Sequence, residues 1–118
     1  MAKNYENLEA WKEAIKLTVL IYKETRNFPK QEIYGLTSQI RRASNSISAN
    51  IAEGAGRSSK QEFIRFVNIS LGSLNEVESL ILVAKEINYL KEERFNLLKS
   101  QIEKVGGLLG GFKNYLSK

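Results

Sequence analysis

The 118-residue chain contains no cysteine, no histidine and no aspartate, and its only proline is Pro29. Without cysteine there is neither a disulfide framework nor a thiolate metal site. Without histidine and aspartate, Ser-His-Asp and Cys-His arrangements, His/Cys zinc sites and Glu-x-x-His di-iron motifs are all excluded. Glutamate, lysine and tyrosine remain as acid–base groups, and these rarely act alone. The expectation is a non-enzymatic protein with no catalytic residues, no metal and no cofactor. A glutamate-dependent hydrolase would need two carboxylates converging in one pocket. Long apolar runs are also missing, none approaching the roughly 20 residues that cross a bilayer. The opening MAKNYENLEAW carries no apolar signal core. A cytoplasmic protein with no membrane partner is therefore expected.

What is present describes an ordinary folded domain. The chain is 42% hydrophobic and 26% charged, and its length suits a single domain over residues 1–118. The net charge is +5, unevenly spread: residues 1–60 hold ten Lys/Arg against six Glu, residues 61–118 eight against seven. A basic excess of this size permits binding to nucleic acid without requiring it.

Four segments carry helical periodicity, and strand-like alternation is absent. The first spans about 5–28, with an apolar stripe of Leu8, Trp11, Ile15, Thr18 and Tyr22, and Pro29 stops it. PKQEIYG reads as a connector with room for one short helical turn. The second spans about 36–53, with Leu36, Ile40, Ala43, Ile47 and Ile51 on one narrow face. Gly54 and Gly56 read as its end, because glycine adopts positive φ without steric cost. The third spans about 59–88 and opens on Ser59-Lys60-Gln61-Glu62, an S-x-x-E capping signal. Its main stripe is Phe63, Phe66, Val67, Ser70, Leu74, Val77, Ile81 and Ala84. The fourth spans about 92–116, where Phe95, Leu98, Ile102, Val105, Leu109, Phe112 and Leu116 alternate three and four apart. GGLLGG, residues 106–111, interrupts that seam. It reads either as a kinked or frayed end or as a close approach by a neighbouring helix. Four such helices with short connections predict an all-α fold, an antiparallel up-down-up-down four-helix bundle.

The third helix is apolar beyond one stripe. Ile64, Leu71 and Leu82 share a second face, and Ile69, Leu80 and Ile87 a third. A bundle helix needs one wide apolar stripe, so the surplus predicts cover from another copy of the chain, a homo-oligomer.

The charges have two interpretations. Lys12, Lys16 and Lys23 lie in a narrow angular range on the first helix with Arg26 close by. They form either a solvated face, with Glu9 and Glu13 pairing the first two, or a stripe that tracks phosphates. In QIRRASNSISANIAEGAGRSSKQEF, residues 39–63, small side chains let another helix backbone come close, and Arg41, Arg42, Asn50, Glu53 and Arg57 stand out against them. Arg42, Asn50 and Glu53 are expected to find partners on the third helix or another subunit, with Glu62 and Glu76 as candidates. Arg41, Arg42, Arg57 and Lys60 are candidate phosphate contacts. Arg41 and Arg57 fit phosphate better, and Arg42 fits a subunit joint better. GAGRSSKQEF is not a nucleotide loop, since it lacks the G-x-x-x-x-G-K-[ST] spacing and no strand precedes it.

Several blocks together, FP…YGL, QIRRA, NIAEG, GR-S and the Gly72-Ser73…Glu76 step, resemble the bacterial family of 23S rRNA-intervening sequence proteins. The resemblance covers about residues 8–84; the fourth helix is similar only in character, and the resemblance does not place GGLLGG. The family implies a bundle that assembles as a homopentamer. It also implies kinship with the basic accessory proteins of diversity-generating retroelements, which bind nucleic acid and reverse transcriptase. By this resemblance Arg41, Arg42 and Arg57 match basic motif positions, and Asn50 and Glu53 match the NIAEG block. The function expected is binding of structured RNA or DNA, RNA foremost, through phosphates. The alternative is a scaffold that docks a partner protein, with charge serving solubility.

Overall fold

The computed structural model describes residues 2–118, with side chains from Tyr5 onward. It contains four α-helices and, among the described residues, no strand: α1 Glu9–Thr25, α2 Leu36–Ala55, α3 Lys60–Glu86 and α4 Glu92–Ser117. Short 3-10 turns cover Ala2–Asn7 and Lys30–Glu32, the latter inside the proline connector. The chain measures 43 × 24 × 19 Å, and its long dimension is about that of α3 at ~1.5 Å per residue.

Each helix packs on its chain neighbours, and α1 also packs on α4. The diagonal pairs make no close backbone approach among the described residues. Along three seams, contacts compared from end to end run in opposite directions along the two helices. Thr18 of α1 meets Ser44 of α2, Tyr22 meets Asn45, and Thr25 meets Arg41. Ile47 of α2 meets Ser70 of α3, and Gly54 meets Phe63 and Phe66. On the third seam Leu74 meets Gly106, and Phe63 meets Phe112.

The core follows most of the expected periodicity in three helices, with Leu36, Phe63, Phe66 and Phe112 of the expected stripes only half-buried. Buried residues are Ile40, Ala43, Ile47 and Ile51 on α2; Val67, Ser70, Leu74, Val77, Ile81 and Ala84 on α3; and Phe95, Leu98, Ile102, Val105, Leu109 and Leu116 on α4. In α1 the expected stripe is displaced. The buried face is Ala10, Ala14, Leu17 and Ile21, while Leu8, Trp11, Ile15, Thr18 and Tyr22 are only half-buried. The larger side chains lie on the flank toward α2, where Trp11 meets the ring of Tyr5 at 5.3 Å and Thr18 reaches Ser44. Alanines take the innermost positions, and their small size lets the α1 backbone approach the core.

The small residues of α2 work as anticipated. Thr18 Oγ1 donates to the Ser44 carbonyl at 3.1 Å, and Ser70 Oγ to the Ile47 carbonyl at 2.8 Å. Both neighbouring helices thus hydrogen-bond directly to its backbone. The end of α2 differs from expectation. No glycine has positive φ, and the helix continues through Gly54 to Ala55. Gly54 serves proximity instead, because a Cβ there would stand 2.8 Å from Phe63 Cδ1 and from Phe66 Cβ.

Ser59 caps α3, its Oγ accepting from the Glu62 amide at 3.1 Å. The Glu62 carboxylate turns to Arg65. At the other end of α3 a stop signal was missed. Asn88 takes φ 68°, the Tyr89 amide bonds the Ala84 carbonyl at 2.8 Å, and the Asn88 amide bonds that of Lys85 at 3.0 Å. This is a Schellman motif with asparagine in the left-handed position. GGLLGG remains helical within α4, and a Cβ at Gly106 would meet Leu74 at 3.3 Å, whereas Gly107, Gly110 and Gly111 face open space.

α3 is long and apolar enough, by length and composition, to cross a membrane, with a mean hydropathy of 1.3 over its best window, of which 28% is buried. Asn68, Ser70, Ser73, Asn75, Glu76 and Glu78 interrupt the run, and its buried side is the bundle core. Outside that side, Ile69, Leu82, Val83 and Ile87 are 41–46% exposed. Ile64, Leu71 and Leu80 pack partly against the chain's own core. The second and third apolar faces are therefore covered only in part.

Candidate nucleic-acid interface

The basic residues singled out from sequence fall at three places. Lys12, Lys16 and Lys23 are exposed on α1, with Arg26 also exposed at its end. Lys12 pairs with Glu9 at 3.6 Å and Lys16 with Glu13 at 3.4 Å, the one-turn pairs expected there. Lys23 and Arg26 make no ion pair among the described residues.

Arg41 and Arg42 belong to the same end of the molecule as Lys23 and Arg26, because the start of α2 packs on the end of α1. Arg41 is half-buried. Its Nε donates to Thr25 Oγ1 at 2.9 Å, and its guanidinium lies over the Tyr22 ring, 4.6 Å from the centroid. The stem and plane of Arg41 therefore join α1 to α2, a structural role not expected of it. Its two terminal nitrogens have no hydrogen-bond partner among the described residues. Arg42 is exposed and lines a groove between α2 and α3 with Gln39, Ser46, Ser73 and Glu76. Glu76 was an anticipated partner of Arg42; the two share this groove without an ion pair.

Arg57 and Lys60 lie at the opposite end, since the fifteen residues from Arg42 to Arg57 span ~22 Å of helix. Arg57 bonds Glu53 at 2.7 Å and covers the Phe66 ring at 4.8 Å. Within the chain Glu53 does not reach α3: its partner is Arg57, four residues on, in the turn that follows α2. Asn50 is likewise local, donating to the Ser46 carbonyl at 2.8 Å and to Ser46 Oγ at 2.9 Å. Ser73 Oγ joins Ser46 Oγ at 2.9 Å, carrying that network across to α3.

Three carboxylates make long-range contacts that sequence reasoning did not place. Glu13 is buried on the core side of α1. It accepts from Gln101 Nε2 at 2.9 Å and lies 3.5 Å from Lys104. The Gln101 hydrogen bond, aided by Lys104 and Lys16, holds its carboxyl below the ordinary 4.5 against the opposing effect of burial. Glu32 accepts from the Leu36 amide at 3.0 Å and the Tyr89 hydroxyl at 2.9 Å. The amide bond, then the hydroxyl, lowers its carboxyl, and the same hydrogen bond raises the Tyr89 phenol above 10.0. Glu24 is paired with Arg94 of α4. These contacts join residues far apart in the chain, from Glu32 and Tyr89 to Glu13 and Lys104, or cap a helix from a connector, and no local sequence signal marks them.

The molecule thus belongs to the class of small all-α four-helix proteins with an uneven basic surface. A sequence model of the 23S rRNA-intervening sequence protein family matches residues 6–111, so the chain belongs to that family. The match takes in the fourth helix as far as Gly111, GGLLGG included, beyond the blocks that carried the resemblance. The chain is also similar to a solved structure of a protein of unknown function from the S23 ribosomal protein family of Bacteroides thetaiotaomicron. That likeness has 26% identity and a TM-score of 0.79, covering 88% of this chain and 97% of the other. Comparison with curated protein sequences finds no match.

Proposed function

We propose that this chain is a non-enzymatic, up-down-up-down helical subunit of a cytoplasmic homo-oligomer that binds nucleic acid, RNA foremost, through phosphate contacts. One observation carries the reading: Lys23, Arg26, Lys30 and Arg42 are exposed at one end of the bundle and have no ion-pair partner among the described residues. The two carboxylates nearest in sequence, Glu24 and Glu32, are engaged by Arg94, Tyr89 and the Leu36 amide. Uncompensated cations clustered in this way attract polyanions and release counterions on binding. Lys12, Lys16, Arg57 and Lys60 are secondary in this scheme, the first three because a carboxylate already neutralises each. The opposed contacts along the seams support the up-down topology. The half-covered apolar surface of α3 supports assembly with further copies, and the pentamer is the number the family resemblance implies.

The test is binding of a structured RNA at increasing salt. Neutralising about four phosphates predicts a slope of log affinity against log salt near −3 to −4. Charge reversal at Lys23 and Arg26 should flatten that slope while light scattering reports an unchanged particle. Affinity that does not vary with salt would sink the electrostatic mechanism. The exposed Ile69, Leu82, Val83 and Ile87 favour a second reading, a scaffold that docks a partner protein; it predicts purified protein that fails to shift RNA even at low salt.

A further inference from the structure

The basic end also carries a cleft, which shares Arg26 and Lys30 with the proposed nucleic-acid surface. It is about 320 Å³ in volume and is lined by Thr25, Arg26, Phe28, Pro29, Lys30, Ile33, Thr37 and Arg41. Three of these are cations and none is a carboxylate. Glu24 and Glu32, the acids of this segment, face Arg94 and Tyr89 instead. Arg41 is pre-positioned, because Thr25 holds its Nε and Tyr22 supports its plane, leaving its terminal amines unpaired. Thr37 is 2% exposed, and its hydroxyl has no hydrogen-bond partner among the described residues. It stands in the first turn of α2, where the helix end favours negative charge. Among the described residues no fully buried side-chain oxygen or nitrogen is left without a partner, so the unpaired Thr37 hydroxyl keeps access to the cleft that it lines.

We infer that this cleft is a binding site for a phosphomonoester, with the phosphate among Arg26, Lys30, Arg41 and the Thr37 hydroxyl and a compact apolar or planar body against Phe28, Pro29 and Ile33. The charge selects the ligand. A single carboxylate would leave two of the three cations uncompensated, whereas a phosphomonoester carries about −1.5 to −2 with three strong acceptor oxygens. The two terminal nitrogens of one guanidinium match two phosphate oxygens. The volume lies at the small end of the range for ligand sites, which suits a mononucleotide-sized molecule.

The inference does not depend on binding of long RNA, and its test is separable. Calorimetric titration of the full chain with adenosine 5′-monophosphate, inorganic phosphate and adenosine should give the tightest binding for the monophosphate and none for adenosine. The double variant Arg26→Ala/Lys30→Ala removes two exposed side chains and should weaken monophosphate binding at least about tenfold. Thr37→Val keeps the shape and removes the hydroxyl, and should weaken it by about threefold or more. A 5′-phosphorylated RNA oligonucleotide compared with its 5′-hydroxyl form identifies the source. A preference for the phosphorylated end that the double variant abolishes assigns the site to RNA termini. Monophosphate binding without that preference assigns it to a free small molecule. Equal binding of adenosine and its monophosphate, or an affinity unchanged in either variant, overturns the site. Failure of the salt-dependent RNA assay would leave the monophosphate result standing.

Discussion

Gly54 and Gly107 are both helical glycines, and alanine should have opposite effects at the two. At Gly54 a Cβ would lie 2.8 Å from Phe63 Cδ1 and 2.8 Å from Phe66 Cβ. The Phe63 ring can rotate away, but Phe66 Cβ is tied to the α3 backbone, so α3 itself must move. At Gly107 nothing lies within 4 Å. Alanine gains up to ~1 kcal/mol of helix propensity at either site. Overpacking costs ~1–3 kcal/mol, and contact on two sides places Gly54 toward the upper end. Gly54→Ala should therefore lose about 2 kcal/mol and Gly107→Ala gain up to about 1 kcal/mol. At about 4 °C per kcal/mol for a chain of this size, their unfolding midpoints should differ by about 12 °C. Thermal and urea unfolding followed by circular dichroism would measure this, at matched protein concentration because assembly couples stability to concentration. A Gly54→Ala variant as stable as the parent would refute the close packing of α2 on α3. A destabilised Gly107→Ala would refute the open space beside α4 and place a second chain there.

Asn88, at φ 68° in the α3 stop, should be improved by glycine, which adopts that conformation without a Cβ penalty; Asn88→Gly is expected to raise stability by about 0.5–1 kcal/mol, read as a higher unfolding midpoint. Glu13 should govern the acid limb of stability. Its carboxyl is held below 4.5, chiefly by Gln101, so its contribution is complete above the ordinary carboxylate range and is lost as pH falls through the lowered value. Glu13→Gln should be less stable than the parent at pH 7, with the gap closing below about pH 4.5; a gap that is constant with pH would show that the Glu13 charge is not the cause.

The periodicity of α2, α3 and α4 was legible because most of the stripe residues at three- and four-residue steps are the ones buried, Leu36, Phe63, Phe66 and Phe112 being half-buried at the ends. In α1 the same rule selected the bulky Trp11, Ile15 and Tyr22, whereas the innermost positions are Ala10, Ala14, Leu17 and Ile21; the first two are alanines, whose small size gives them no weight in a pattern of large side chains. Ser59 was legible as a cap because its partner is three residues away. Asn88 was missed because asparagine is a weaker stop signal than glycine. Glu13 was assigned correctly to Lys16 and not to Gln101 or Lys104, since a one-turn pair is visible in sequence and a contact across 88 residues is not.

The same division holds for the candidate interface. Composition alone excluded histidine, cysteine and aspartate chemistry, and the motif blocks alone pointed to the family. Sequence also determined that Arg41, Arg42 and Arg57 stand among small residues, because residue size and order are properties of the chain. Only the packing of α1 against α2 decided that Arg41 braces against Thr25 and Tyr22 with its terminal nitrogens unpaired. Only the turn after α2 decided that Arg57 closes on Glu53 and Phe66. A guanidinium reaches several ångströms in many directions, and its partner is whichever group the neighbouring helix brings within that reach.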